Sequence, residues 1–202
     1  MMKFIKILKM LKNKKRFFES KPFELKLDLT NCDFNKYDNK IIRKLSDVAS
    51  IFKDGEKVKE IQKSSDPIIY IIGEIKVPNK EGHLSFGISK ICPGKVGNEF
   101  YMTKGHYHEK KDGSEIYICL EGKGYLLVQS KDKQVISFYM DKSSVVYVQP
   151  GWAHRTVNCG KEFFTCLYFM PANVGHDYES IRKNDFEMSV VELDEKICLI
   201  KK

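Results

Sequence analysis

A regular succession of short apolar runs follows Pro67 and constrains the fold more than any other feature of the chain. Turns rich in Gly, Asn, Asp, Lys and Pro separate the runs. Nine runs follow this pattern: "PIIYIIGEIKV", "LSFGISKIC", "EFYMTKGHYH", "SEIYICLEG", "GYLLVQS", "QVISFYM", "SVVYVQP", "HRTVNC" and "FFTCLYFM". Nine short strands at this spacing predict a mainly β protein, built as a sandwich or a barrel.

The residues before Pro67 have a different pattern. In residues 41–63, "IIRKLSDVASIF" places apolar residues three and four apart, and "EKVKEIQK" continues after Gly55, so this region is predicted to be helical. The last residues, from "GHDY" onward, predict a loop, a helical turn and one or two final strands. A chain of 202 residues is long enough for one domain with a sizeable core.

We therefore expect a single β domain preceded by a small N-terminal helical region. The predicted division is a basic amphipathic extension (1–22), a helical lead-in and arm (23–66), the β-barrel (67–190), and a C-terminal strand and tail (191–202).

The basic charge is concentrated at the N terminus. The net charge is +8, but residues 1–21 hold eight Lys or Arg and one Glu, so the remaining residues are nearly neutral. We therefore expect no nucleic-acid partner. On a helical wheel Phe4, Ile7, Leu8 and Leu11 share one face and lysines cover the other, so the tail could lie on an anionic membrane surface. The favoured alternative is a solubilising extension.

The remaining composition favours a cytoplasmic protein. No run approaches the roughly 18 uninterrupted apolar residues of a membrane-spanning helix. Lysines interrupt the N-terminal apolar runs and no small-residue cleavage site follows, which argues against a secretory signal. The six cysteines form no C-x-x-C pair, so we expect reduced thiols.

Two of the five histidines stand as H-x-H in "MTKGHYHEKKDGSEIYICLEG". In a strand, His106 and His108 would project from the same face, and two buried imidazoles are costly unless something satisfies them. Glu115 begins the next predicted strand after a turn, and His154 begins another after a Pro-Gly turn. Three imidazoles and one carboxylate suit Fe²⁺, Mn²⁺, Ni²⁺, Co²⁺ or Zn²⁺, and the lack of thiolate argues against a structural zinc site.

The full set of these residues resembles the two signature motifs of the cupin superfamily. The set comprises the H-x-H pair, Glu115, Gly122 and the later P-G-x-x-H-x-x-x-N. The resemblance implies a single-domain cupin fold, which is a double-stranded β-helix or jelly-roll barrel.

A narrower resemblance is carried by "PGKVGNEFYMTKGHYHEK", "SEIYICLEGKGYLLVQ", "VVYVQPGWAHRTVN" and "GHDY". Over about residues 41–187 the chain is similar to the archaeal-type, cupin glucose-6-phosphate isomerases. The resemblance implies a homodimeric enzyme of glycolysis and gluconeogenesis that interconverts glucose 6-phosphate and fructose 6-phosphate. It also implies one divalent metal ion per subunit, with Fe²⁺ as the first expectation. The implied metal ligands are His106, His108, Glu115 and His154.

The chemistry assigns further roles but leaves the route open. Isomerisation moves a hydrogen between C1 and C2, and Glu115 is the natural base because it lies in the same cluster. A glutamate that binds a metal is a poorer base, and a metal-assisted hydride shift needs no strong base. The resemblance places His176 in the substrate pocket, where it could assist ring opening or a proton transfer because an unperturbed histidine has a pKa near neutrality.

The substrate phosphate needs an anion site, and "TKGHYH" provides one. Thr103 offers a hydroxyl, Lys104 a cation, and Gly105 a backbone N–H that a phosphate could approach closely. In the resembling family the Thr and Gly positions contact the phosphate, as does a threonine where this chain has Ser89. The resemblance adds three tyrosines to the substrate pocket: Tyr70, Tyr117 and Tyr178.

One residue departs from the family. Met170 stands where the family carries a pocket tyrosine before the proline, and methionine cannot donate a hydrogen bond to the substrate. We therefore expect a difference in substrate affinity or preference.

Two other functions fit the same residues. Three histidines and a glutamate also hold iron in cupin dioxygenases, although that function gives no role to the anion site. A non-catalytic sugar-phosphate-binding cupin would keep the metal and lose turnover, and Met170 is compatible with it.

Overall fold

The computed structural model describes residues 21–201, and within them strands dominate. The helices are short: α1 (Leu45–Val48), continued by a 3₁₀ turn (Ala49–Ile51), then α2 (Gly55–Gln62) and α3 (Tyr178–Lys183). The strands are β1 (Leu27–Asp28), β2 (Asp33–Phe34), β3 (Asn39–Lys44), β4 (Ile68–Ile75), β5 (Leu84–Ile91), β6 (Lys95–Val96), β7 (Glu99–Phe100), β8 (Glu115–Glu121), β9 (Gly124–Gln129), β10 (Val135–Met140), β11 (Val145–Val148), β12 (Ala153–Asn158), β13 (Phe164–Pro171), β14 (Met188–Leu193) and β15 (Lys196–Lys201).

The main strands form antiparallel sheets on two sides of the core. The large sheet has six strands in the order β11-β8-β13-β5-β4-β3. Smaller sheets, β10-β9-β12 and β15-β14-β7-β6, make the other side, and β1-β2 form a separate ribbon. This arrangement is the double-stranded β-helix of a cupin, so the predicted mainly β fold class is confirmed. The predicted final helical turn and strands are also present, as α3, β14 and β15.

The predicted strand over residues 99–108 is only partly formed. Regular pairing stops at Phe100, and isolated bridges then join Met102 to Val157 and His106 to His154. The register along β12 shifts by one residue between these bridges, because Gly105 adopts a φ of +72° and makes a bulge. The segment 101–107 therefore follows β12 as an irregular strand.

The predicted helix over 41–63 is wrong at its beginning. Residues 41–44 belong to β3, which pairs with β4 at the edge of the large sheet. Burial alternates along this strand, so Ile41 and Arg43 lie on one face and Ile42 lies on the other. Helix α1 begins only at Leu45, where the Asp47 carboxylate accepts a 2.9 Å hydrogen bond from the Lys44 N–H. Helix α2 and the short turns of 45–51 agree with the prediction.

The core lies between the sheets and consists of aliphatic and aromatic side chains. Its largest fully buried members include Ile69 and Ile91 of the large sheet, Leu126 of β9, and Phe164 and Phe186. All six cysteines lie in the described residues and form no disulfide. Within residues 21–201, no helix has the length and apolar character needed to cross a membrane. The predicted basic tail lies largely outside the described residues.

Candidate metal centre

The inner face of the large sheet carries a set of polar side chains on alternate residues. Glu115 begins β8, and the strand's burial pattern turns Glu115 and Tyr117 inward while Ile116 remains exposed. Tyr70 of β4 and Ser89 of β5 are buried on the same side of the sheet. Because inward residues of neighbouring strands share one face, these side chains form a common wall.

The opposite wall comes from β12 and the segment beside it. The His106 N–H donates to the His154 carbonyl at 3.2 Å, and the His154 N–H donates back at 3.0 Å. This pairing places the two residues directly opposite each other, and their ring centroids lie 4.3 Å apart. The bulge at Gly105 is therefore what brings His106, rather than a neighbour, into register with His154.

Four side chains from these two walls converge on one point. His106, His108, Glu115 and His154 each offer one ligand atom, and these atoms all lie within 4.8 Å of one another. Glu115 Oε2 lies 2.9 Å from His154 Nε2 and 3.1 Å from His108 Nε2. It lies 4.0 Å from His106 Nε2.

The hydrogen bonds around the cluster leave ring nitrogens for a ligand. His108 Nδ1 lies 2.9 Å from the Gly113 carbonyl oxygen, which can only accept, so Nδ1 carries the proton. Neutral His108 then presents a lone pair at Nε2, and the Glu115 carboxylate oxygen 3.1 Å away is also an acceptor. Two acceptors at this distance repel unless a proton or a cation lies with them. His106 Nε2 and His154 Nε2 are buried without a hydrogen-bond partner among residues 21–201. The cluster therefore fits a metal ion.

The charges of the cluster suit metal binding. Burial opposes ionisation of Glu115, yet the neighbouring His154 and His108 outweigh it and hold its pKa well below its usual range. Burial, reinforced by His154, lowers the pKa of His106 well below its usual value. Glu115 is therefore a carboxylate and His106 a neutral imidazole, which are the protonation states that bind a metal.

A cavity of about 250 Å³ lies over this cluster. Nearly all residues predicted for the site line it: Tyr70, Ser89, Thr103, Lys104, Gly105, His106, Glu115, Tyr117, His154, His176 and Tyr178. The exception is His108, whose Nε2 reaches the cluster from an adjoining cleft. Their individual roles remain predictions, but the structure brings them to one place.

His176 and Tyr178 cover one side of the cavity. Asp177 between them exchanges backbone hydrogen bonds with Tyr107, of 2.8 and 3.2 Å, which holds the segment beside the H-x-H motif. The His176 ring lies 4.4 Å from the His106 ring and stacks on Tyr178 at 5.7 Å. Burial lowers the pKa of His176, so its imidazole is neutral near pH 7.

Four polar residues of the cavity were missed by the sequence analysis: Arg43, Glu74, Thr156 and Tyr168. Arg43 was assigned to a helix, whereas strand β3 turns it inward. Glu74 and Thr156 stand four and two residues after Tyr70 and His154, so strand alternation would have found them. Burial lowers the pKa of Lys104, and the positive charge of Arg43 lowers it further; both cations line the cavity.

Tyr168 occupies the place where Met170 was expected. Both residues lie on the same face of β13, but Tyr168 lines the cavity and Met170 is not among the lining residues. Met170 is instead part of the buried core. Tyr168 therefore supplies the cavity with a tyrosine, two residues before the position where the chain has Met170.

Larger clefts exist, but their chemistry is less specific. One of about 530 Å³ is lined by the lysines 111, 131 and 133, and one of about 1010 Å³ lies near Cys159. Three buried side-chain atoms lack a hydrogen-bond partner in the described part of the chain, and all three belong to the smaller cavity: Ser89 Oγ, His106 Nε2 and His154 Nε2. Buried polar atoms without a partner indicate a ligand-binding site, so the smaller cavity is the candidate site.

The fold and the cluster together define a cupin with three histidines and one glutamate able to hold a metal ion. The family model of glucose-6-phosphate isomerase matches residues 42–199. The chain is 44% identical over 161 residues to the glucose-6-phosphate isomerase of Pyrococcus abyssi, covering 80% of this chain and 85% of the relative. It is 42% identical over 178 residues to that of Thermococcus litoralis, covering 88% and 93%. The chain belongs to the glucose-6-phosphate isomerase family.

Solved structures give weaker matches. A Klebsiella pneumoniae protein with a double-stranded β-helix domain is 18% identical and aligns over 53% of this chain and 81% of its own, with a TM-score of 0.42. The family assignment rests on the sequence relatives and not on this likeness.

Proposed function

We propose that this protein is a metal-dependent aldose–ketose isomerase that interconverts glucose 6-phosphate and fructose 6-phosphate. The observation that carries the proposal is the convergence of His106, His108, Glu115 and His154 below a cavity that Arg43 and Lys104 also line. Such a cavity offers a metal ligand set for the sugar oxygens and cations for the phosphate. Family membership supports the same reaction.

The proposed cofactor is one divalent ion per subunit, held by the three imidazoles and Glu115. Fe²⁺ is the first choice, and Mn²⁺, Ni²⁺, Co²⁺ and Zn²⁺ suit the same nitrogen and oxygen ligands. When bound, the ion polarises the carbonyl and hydroxyl oxygens of the open-chain sugar.

Glu115 is the residue we assign to hydrogen transfer. It approaches the imidazoles with Oε2, and we assign its other oxygen, Oε1, to exchange a proton with the substrate. Glu115 removes a proton from C1 of open-chain fructose 6-phosphate and returns it to C2, while a second proton passes from O1 to O2. Neutral His176, at the cavity wall, is suited to this second transfer or to ring opening.

We assign the phosphate to the part of the cavity that Lys104 and Arg43 line. Lys104 and Arg43 supply positive charge, and Thr103, Ser89 and the Gly105 N–H supply hydrogen-bond donors. Ser89 Oγ has no partner among the described residues, which supports its use by a ligand. Tyr70, Tyr117 and Tyr178 complete the substrate pocket.

The proposal extends to the cell and the assembly. We place the protein in the cytoplasm as a homodimer, with the sugar phosphate as its small-molecule partner. Exposed apolar side chains at an edge of the large sheet, such as Val145 and Tyr147, support a subunit contact. The division into 1–22, 23–66, 67–190 and 191–202 is kept as part of this proposal.

A coupled assay for glucose 6-phosphate formed from fructose 6-phosphate tests the function, with the metal content of the protein measured in parallel. Turnover that scales with bound metal supports the isomerase. Absence of turnover at full metal occupancy contradicts it, and an oxygen electrode then tests the dioxygenase alternative. In D₂O, deuterium at C2 of the product marks the proton route, whereas a hydride shift carries over the hydrogen of C1.

A further inference from the structure

Arg155 lies next to the metal cluster in sequence but on the other side of the sheet. Side chains alternate along β12, so His154 and Thr156 face the cavity while Arg155 faces away. Arg155 is nevertheless only 2% exposed. Burying a guanidinium is costly unless it is paired and hydrogen-bonded, so its partners indicate what it does.

The guanidinium holds one backbone carbonyl of the bulge. Arg155 Nε and Nη2 both donate to the Lys104 carbonyl oxygen, at 3.2 and 2.7 Å. Its Nη1 lies 2.9 Å from Asp185 Oδ1, which supplies the opposite charge. The group thus anchors the peptide between Lys104 and Gly105 to the segment that follows α3.

Aromatic packing fixes the same contact. The guanidinium carbon lies 4.5 Å from the ring centroid of Phe186, which is fully buried. A Cβ on Gly105 would lie 2.7 Å from the Phe186 ring and 3.1 Å from Arg155 Cβ, so both side chains pack closely against the Gly105 backbone. Gln129 holds this segment in turn, because its Oε1 accepts the Glu187 N–H at 2.7 Å.

The direction of the anchored carbonyl determines the direction of the next N–H. In a trans peptide the C=O and N–H bonds point to opposite sides. The Lys104 carbonyl points to Arg155, outside the sheet, so the Gly105 N–H points into the cavity. Within residues 21–201 this N–H has no hydrogen-bond acceptor. Buried backbone N–H groups are rarely left unpaired, which indicates that a ligand accepts from it.

We propose that Arg155 is a positioning residue for phosphate recognition. By holding the Lys104 carbonyl outward, it presents the Gly105 N–H to a phosphate oxygen beside Thr103 and the Lys104 ammonium. The Gly105 N–H is oriented before the substrate binds, so binding carries no free-energy cost for ordering this donor. This inference rests on the proposed function, because it takes a sugar phosphate as the ligand.

The test is Arg155→Lys in the full-length, metal-loaded protein. Lysine keeps the charge but has a single nitrogen, so it cannot bond the carbonyl twice and also pair with Asp185. We expect the Kd for inorganic phosphate, measured by calorimetry, to rise about tenfold, as for a misaligned hydrogen bond to a charged group. The KM for fructose 6-phosphate should rise similarly, with a smaller change in kcat. Arg182→Lys, at an exposed arginine of α3, is the matched control and should change neither value.

The outcomes separate this inference from the proposed function. Unchanged phosphate affinity and KM in folded, metal-loaded Arg155→Lys would overturn the role of Arg155. The proposed isomerase function would not be affected by that result. Weakened phosphate binding with no isomerase activity in the wild type would support the inference and contradict the isomerase. If Arg155→Lys does not fold, Asp185→Asn decides instead. That change weakens the anchor at a partly exposed residue and should raise the phosphate Kd severalfold, and an unchanged Kd would overturn the inference.

Discussion

Replacement of Glu115 by glutamine tests the residue on which the chemistry depends most. The substitution keeps the side-chain shape and removes the negative charge at the centre of the cluster. Glu115 is 2% exposed, with Oε2 at 2.9 Å from His154 Nε2 and 3.1 Å from His108 Nε2. The amide oxygen remains a weak metal ligand, so metal binding should weaken without disappearing. The neutral amide can no longer take a proton from the substrate.

We expect kcat to fall by about 10²–10⁴ at saturating metal, the usual range for a lost general base. The coupled assay measures kcat, and elemental analysis of the same samples measures bound metal, so loss of the ion is not mistaken for loss of the base. Glu121→Gln is the matched control, because it makes the same change at the other end of β8 and outside the cavity. The control should retain the wild-type kcat.

Near-normal turnover in fully metal-loaded Glu115→Gln would refute the assignment of Glu115 as the base. The glutamate would then act only as a ligand, and a hydride shift would become the better route. A loss of activity that follows the loss of metal in strict proportion would lead to the same conclusion.

Two further predictions concern the cavity, and a third concerns the N-terminal tail. Ser89→Ala should raise the KM for fructose 6-phosphate about tenfold yet leave the melting temperature unchanged, because Ser89 Oγ has no partner within the described residues; an unchanged KM would exclude a substrate contact. Tyr168→Phe should raise the same KM with little effect on kcat, and Tyr139→Phe at an exposed site is the control; equal KM values in both variants would contradict the role given to Tyr168. Deletion of residues 1–20 should preserve kcat/KM, since every proposed site residue lies in 21–201, and a collapse of activity in soluble protein would show that the tail is required.

The β architecture was predictable because its signals are local. Alternating apolar runs and Gly- or Pro-rich turns fix where strands begin and end, and most predicted runs became strands. The convergence of His106, His108 and Glu115 was also predictable, since i and i+2 positions share a face and the next strand follows one turn later.

Other features depend on contacts that the local sequence does not contain. The apolar spacing of "IIRKL" fits a helix as well as a strand. Pairing with β4 is what makes these residues a strand, β3, and this strand turns Arg43 inward. The bulge at Gly105 likewise needs β12 as its partner. Tyr168 was missed because the comparison with the family, made position by position, pointed to Met170, which lies two residues later on the same face.

Titration of metal into stripped protein tests whether the isomerase activity depends on an ion in the His–Glu cluster. Protein freed of metal by a chelator is titrated with Fe²⁺ under anaerobic conditions, and isomerase activity is followed by the coupled assay. We expect no activity at the start and a linear rise in activity that reaches a plateau at one ion per chain. In His154→Ala, activity should not rise to such a plateau. Full activity in the stripped protein, or activity that is indifferent to added metal, would contradict this dependence.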